Sequence, residues 1–235
     1  MSTRYFGASV PRREDPRLLR GQARYVDDIK LPGLLHATIV RSMHAHARIP
    51  AVQVEAARLM PGVVGVFGFA DLARWMQPIP PFGEAPPPLD TRIGLSTLET
   101  PRYPLARDKV RYVGEPIASV VARSRAQAED AAEQVEVSYE PLAAVVDTEA
   151  AVDPEAPRLF EALDSNVVLS FTHTVGNAEA AIQAADVVVR ERFRVHRYTG
   201  TPLEGRGIVV EPHPVEPRLT MWDSTQLPHV VQSAL

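Results

Sequence analysis

The sequence predicts an α/β (α+β) fold in which short helices and short strands pack as layers. Three observations point there. Val135, Val137 and Tyr139 alternate with Glu136 and Ser138, the period of a half-buried strand. Ala126, Ala128, Ala131 and Ala132 are strong helix formers set just before that strand. Turn signals such as Leu31-Pro32-Gly33 and Gly114-Glu115-Pro116 separate the apolar stretches.

The elements follow in order. Residues 1–20 are polar and irregular. Their dense charge run, Arg12-Arg13-Glu14-Asp15-Pro16-Arg17, reads as a solvated face, with a charged clamp onto another subunit as the alternative. Residues 24–29 and 35–41 are expected as short strands around the Leu31-Pro32-Gly33 turn. A short helix is expected at 52–59, a strand at 63–69 and a second short helix at 70–76. The 22 prolines are about twice the usual share. They cluster in PIPPFGEAPPP, residues 78–88, which reads as an extended surface loop. Strands are expected at 110–113 and 117–122. Residues 124–133 form the clearest helix, with Ser124 placed to cap its start.

The texture changes over residues 141–160, which are loop-like with Pro141, Pro154 and Pro157. A domain boundary is expected there. A strand at 167–173 and a helix at 177–185 follow, with Asn177 as N-cap and Glu179 in the first turn. Residues 187–195 read as a strand. Val189, Glu191, Phe193 and Val195 share one face, and Arg190, Arg192 and Arg194 line the other, which is wet or faces another subunit. Residues 206–211 and 219–222, joined by EPHPVEP, suggest an antiparallel ribbon. Residues 223–226 are a polar turn, and Pro228 suits the first turn of a helix. No C-cap follows Val230, Val231, Ala234 and Leu235, so the chain reads as a piece of a longer polypeptide.

Composition narrows the functional classes. The chain has 235 residues and a formal charge of −4, which argues against nucleic acid as the main partner. No apolar run approaches the roughly 20 residues that cross a bilayer. The N-terminus lacks an apolar signal core, and Arg12-Arg13 runs straight into Glu14-Asp15, unlike an export signal. There is no cysteine, so disulfides, thiolate catalysis and thiolate-held iron–sulfur or zinc sites are excluded. A cytoplasmic protein without a membrane partner is the expectation.

Few residues suggest chemistry by themselves. His44 and His46 would share one face of a strand and could share a metal. No third ligand stands at a suitable spacing, so a packed or surface pair is favoured and no metal ligand is assigned. Glu115 could be a buried carboxylate with a raised pKa, but a single Glu in a turn is usually structural, and that reading is favoured. Glu204, between Leu203 and Gly205, reads as the partner of Arg206 in an ion pair rather than as a base. Phosphate loops, nucleophile elbows and Ser/His/Asp orders are missing. The turn at 223–226, ahead of a helix N-terminus, is a common place for a ligand contact.

Four blocks together go further. They are REDPRLLRGQARYVDDIKLPGLLHATIVRSMHAHARI (13–49), DKVRYVGEPIASVVARSRAQAEDAAEQVEVSYEPLAAVVD (108–147), PLEGRG (202–207) and WDSTQLPH (222–229). In this order they resemble the large subunit of the xanthine dehydrogenase/aldehyde oxidase family of molybdenum hydroxylases, nearest the carbon-monoxide dehydrogenase and aldehyde dehydrogenase type. The resemblance implies a hammerhead domain over residues 20–142 and the start of a molybdenum-cofactor-binding domain over 155–235. It implies Mo-molybdopterin, in bacteria usually the cytosine dinucleotide. It also implies oxidation of an aldehyde, carbon monoxide or N-heteroaromatic small molecule with oxygen from water. Electrons would leave through two [2Fe–2S] clusters on a small subunit to FAD on a medium subunit, which fits a chain without cysteine.

Gln226 matches the family glutamine whose amide hydrogen-bonds an oxygen ligand of molybdenum, with Thr225 and Ser224 as positioning residues. PLEGRG departs from the usual PMEPRG at Leu203 and Gly205, and glycine for proline loosens the turn. The pterin-holding glycines, the substrate loop and the glutamate base are expected beyond Leu235, in the remainder of the large subunit. The chain is therefore not expected to turn over alone. The alternative is a non-catalytic subunit-docking module, or one half of a split large subunit.

Overall fold

A computed structural model of the chain describes residues 7–79, 96–97 and 100–234. In chain order the elements are α1 (Asp15–Leu19), β1 (His36–Arg41), β2 (Ala47–Gln53), α2 (Glu55–Arg58), β3 (Val63–Phe67), α3 (Phe69–Leu72), β4 (Ser96–Thr97), β5 (Lys109–Val110) and β6 (Pro116–Ala122). Then come α4 (Arg125–Ala132), β7 (Glu136–Pro141), β8 (Leu169–Ser170), α5 (Ala178–Gln183), β9 (Ile208–Pro212), β10 (Leu219–Asp223) and α6 (Pro228–Ala234). Helices and antiparallel sheets thus mix as the sequence predicts. The chain forms two compact units: residues 33–193, and residues through 32 together with those from 194 onward.

The larger unit contains two three-stranded antiparallel sheets, ordered β1-β6-β3 and β5-β2-β7. Strand β6 is central in its sheet, and Ile117, Ala118, Val120 and Ala122 are all buried. A strand covered on both faces needs such a continuous apolar run. Thr38 and Val66 both lie opposite Val120. Helix α4 packs on β1 and β6 through Ala128 and Ala131, whose small side chains let the helix approach closely.

One core cluster gathers Val54, Ala57, Val66, Val120, Ala131 and Val135. A second gathers Ala47, Ile49, Ala106, Val110 and Ile117. Val52 and Val137 pack against both, so facing residues of β2 and β7 join them. Ser124 accepts the Gln127 N–H at 3.3 Å as the N-cap of α4.

Several sequence expectations change. Residues 24–29 form no strand; Val26–Asp28 is a 3₁₀ turn, closed by the Asp28 carboxylate accepting the Tyr25 N–H at 2.9 Å. The expected helix at 52–59 contracts to α2, because residues through Gln53 pair with β7. The expected strands at 110–113 and 167–173 contract to two-residue β5 and β8. Residues 187–195 form no strand and are exposed throughout. Their alternation supplies two faces, but a strand also needs a ladder partner, and none of the described residues provides one. Most of the proline loop, from Pro80 on, lies outside the described residues.

In the smaller unit, β9 and β10 form the expected antiparallel ribbon, with Val210 opposite Met221 and Val209 opposite Trp222. Helix α6 begins at Pro228, and Asn177 caps α5 in the larger unit by accepting the Ala180 N–H at 3.0 Å. Among the described residues no helix is long and apolar enough to cross a membrane.

Candidate functional site

The ribbon delivers its polar turn to the start of α6. Ser224 N–H donates to the Gly207 carbonyl at 3.0 Å, which fixes the end of β10 against the loop entering β9. The Thr225 hydroxyl accepts the Leu227 N–H at 3.0 Å. That local bond turns the chain into α6, whose first-turn donors have no partner inside the helix. Gln226 sits between them, exposed, and its amide makes no hydrogen bond to any described residue. An amide offers two N–H donors and a carbonyl acceptor without titrating.

The same unit places a second loop beside this turn. Glu204 Oε1 accepts the Val26 N–H at 2.9 Å. The Glu204–Arg206 pairing expected from sequence is therefore replaced by a bond across 178 positions. A cleft of about 270 Å³ opens here, lined by Arg24, Tyr25, Glu204, Trp222 and Asp223 among others.

The other sequence candidates lie in the larger unit and do not converge. His46 is buried, and its Nδ1 donates to the Ala143 carbonyl at 2.7 Å. A carbonyl only accepts, so Nδ1 carries the hydrogen of this bond, and Nε2 has no hydrogen-bond partner among the described residues. His44 rests on the Tyr139 ring at 4.5 Å. Both precede β2 rather than lying in it. Among the described residues no three metal-ligating side chains gather.

Glu115 is buried, and burial pushes its pKa up. The Arg111 N–H bonded to its carboxylate and the Arg111 charge pull the other way.

Sequence reasoning missed one contact set. Lys109, itself buried, pairs with Glu161. Arg111 donates through Nε to the Leu159 carbonyl at 2.9 Å and lies over the Phe160 ring. Two cations spaced i, i+2 point to the same side of an extended segment, the one sequence signal that this strap of residues 159–161 offered. A more open cleft of about 470 Å³ beside β3, lined by Arg58, Asp71 and Trp75, carries an Arg58–Asp71 contact at 3.7 Å.

Two antiparallel sheets sharing a joined core, followed along the chain by a ribbon and a short helix, define the class as a mixed α/β protein. The a/b hammerhead domain of aldehyde oxidase and xanthine dehydrogenase matches residues 20–143, and the molybdopterin cofactor-binding domain matches residues 159–235. The chain belongs to the aldehyde oxidase and xanthine dehydrogenase family. It is 39% identical over 229 residues to the nicotine 6-hydroxylase large subunit of Paenarthrobacter nicotinovorans, covering 97% of this chain and 27% of that one. It is 34% identical to the carbon monoxide dehydrogenase large chain of Afipia carboxidovorans, covering 97% and 28%. Quinoline 2-oxidoreductase from Pseudomonas putida 86 superposes with a TM-score of 0.79 at 40% identity, covering 97% of this chain and 28% of that one. The chain thus spans little more than a quarter of the length of the relatives it matches.

Proposed function

We propose that this chain is the N-terminal portion of a molybdenum hydroxylase large subunit and that Gln226 donates its side-chain amide N–H to an oxygen ligand of molybdenum. The observation that carries this is the Gln226 amide itself, exposed and without a hydrogen-bond partner among the described residues, on a turn held from both sides. The match of the surrounding segment to a molybdopterin cofactor-binding domain supports it. The donor suits the group: a neutral amide stabilises charge on an oxygen ligand and takes no proton away. When bound, the cofactor supplies the two-electron oxidation of a substrate carbon with oxygen from water.

The chain's own residues hold the donor. Thr225 sets the turn through Leu227, and Ser224 anchors it to Gly207. The backbone N–H groups that Glu115 and Glu204 accept give both carboxylates a structural role, and proton abstraction is assigned to neither. We place the hammerhead domain at 20–142 and the start of the cofactor domain near residue 155. The finer reading follows the same family: a cytosine dinucleotide form of the cofactor, an iron–sulfur small subunit, an FAD medium subunit, a cytoplasmic complex, and no turnover by this chain alone. Among substrates, an N-heteroaromatic ring comes first, since relatives named for nicotine and quinoline reach 39% and 40% identity. The exposed segment at 187–195 supports a second reading, a docking module or one half of a split large subunit.

The test is Gln226→Ala in the complete, cofactor-loaded protein. The expected result is a fall in kcat of about a hundredfold, as for loss of one charge-stabilising donor, with unchanged molybdenum content. An unaltered kcat removes the proposed role.

A further inference from the structure

We infer that Glu204 is a positioning residue: by holding the 3₁₀ turn at Val26–Asp28 against the loop at 204–207, it sets where Gln226 points. The inference rests on the reading of Gln226 given above. Four observations within one compact unit carry it.

The first is the Glu204–Val26 bond. The opening N–H groups of a helical turn have no partner within the turn. Here Asp28 takes the Tyr25 N–H and Glu204 takes that of Val26. Asp28 closes a local loop, whereas Glu204 reaches the turn from 178 positions away. The second is Gly207. A Cβ there would lie 3.3 Å from Val26 Cγ1, tighter than an ordinary van der Waals contact, so the loop backbone lies close against the turn and a side chain at 207 would press on Val26. The third is the Gly207 carbonyl, which accepts the Ser224 N–H. Gly207 is therefore the shared post of two contacts, Val26 on one side and the strand end carrying Thr225 and Gln226 on the other.

The fourth is Thr201, at φ +41°, the one described non-glycine residue with a positive φ. A β-branched residue is poorly tolerated in that region, and here its N–H donates to the Thr199 hydroxyl at 3.3 Å, so the chain bends sharply just ahead of the loop. Thr201 stands three positions before Glu204. The path from Glu204 to Gln226 is thus short and made of backbone: three positions along the chain to Gly207, one hydrogen bond to Ser224, and two positions on to Gln226. Loss of the carboxylate frees the turn from the loop and lets Gly207, with Ser224, shift.

A merely structural role predicts disturbance of the turn alone, and the two roles separate by experiment. The complete cofactor-loaded protein is compared with Glu204→Ala, Glu204→Gln and Gln226→Ala. Amide exchange is read over residues 24–29 and 222–227, together with the electron paramagnetic resonance spectrum of the molybdenum centre and its metal content. Glu204→Ala is expected to speed exchange over 222–227 about tenfold, the factor matching loss of one ordinary hydrogen bond. It is also expected to shift the spectrum as Gln226→Ala does. Glu204→Gln keeps a carbonyl oxygen for Val26 and is expected to restore both.

If Glu204→Ala loosens only 24–29 and leaves 222–227 and the spectrum unchanged, the inference is overturned. If Gln226→Ala itself leaves the spectrum unchanged, the metal reading fails instead, and exchange over 222–227 still decides whether Glu204 positions that turn. Should Glu204→Ala not fold, Val26→Pro decides by the same readouts. It deletes the donor N–H at a position preceded by Tyr25 in extended conformation, which a following proline accepts.

Discussion

Glu115 and Glu204 stand in similar sequence surroundings, each in a glycine- and proline-bearing turn, yet their partners differ in kind. Glu115 accepts the N–H of Arg111, four positions back, so a structural role was within reach of a local reading of VGEP. Glu204 bonds across 178 positions, and no local pattern reports that. The neighbouring Arg206 was the wrong partner for that reason. His46 follows the same rule: its spacing from His44 suggested a shared face, but a carbonyl nearly a hundred positions away holds its ring. Burial raises the pKa of Glu115, and the consequence for stability has a definite sign. A carboxyl whose folded pKa exceeds its unfolded value binds more protons in the native state between the two. Its charged form therefore costs stability as pH rises from below the unfolded value through the folded one. Glu115→Gln keeps an acceptor for Arg111 and carries no charge. Denaturant titrations across the acid range are expected to show the variant gaining stability relative to the parent as pH rises. A difference independent of pH runs against this account.

At the scale of elements, legibility followed the range of the forces that fix each one. Helix α4 was fully legible because alanine propensity and the Ser124 cap are local. Helix α2 was overestimated because Val52 and Gln53, which read as part of a helix, are claimed by the ladder to β7. Residues 187–195 erred the other way: their alternation was correct, but no described strand supplies the hydrogen bonds. The start of α4 offers a graded test. Ser124→Ala removes the acceptor for Gln127 N–H and is expected to cost about 1 kcal/mol. Gly62, at φ +85°, stands where a Cβ would lie 2.3 Å from the Gln127 side chain. Gly62→Ala must both strain a left-handed backbone and displace that side chain, so its unfolding midpoint is expected to fall further than that of Ser124→Ala. Equal midpoints would mean that the Gln127 side chain moves aside freely.

Across the whole molecule, family membership was legible through long ordered motifs, while strand order was not. Strand β6 pairs with β1 and β3, both well before it in the chain, and short apolar strands carry no label for such partners. The distribution of burial was also hidden from sequence. Every buried core residue among those described lies between Ile29 and Val135, although the apolar pattern continues to the end of the chain. Phe171, Val187, Val189, Phe193 and Val195 are all more than half exposed. The Arg192–Glu149 pair nearby has both side chains well exposed, and such pairs contribute little. Local opening is easiest where buried apolar contacts are fewest. In this chain by itself, amide exchange is therefore expected to be slowest in β6 and in the strands beside it, and close to unfolded-chain rates over 171–206. In the complete cofactor-loaded protein, the docking reading requires the exposed apolar residues at 187–195 to be covered. Exchange there is expected to slow by about a hundredfold or more, while β6 changes little. Mass-spectrometric exchange on both forms makes the comparison. Fast exchange over 187–195 in both forms would leave the segment a surface excursion and remove the chief support for reading it as an interface.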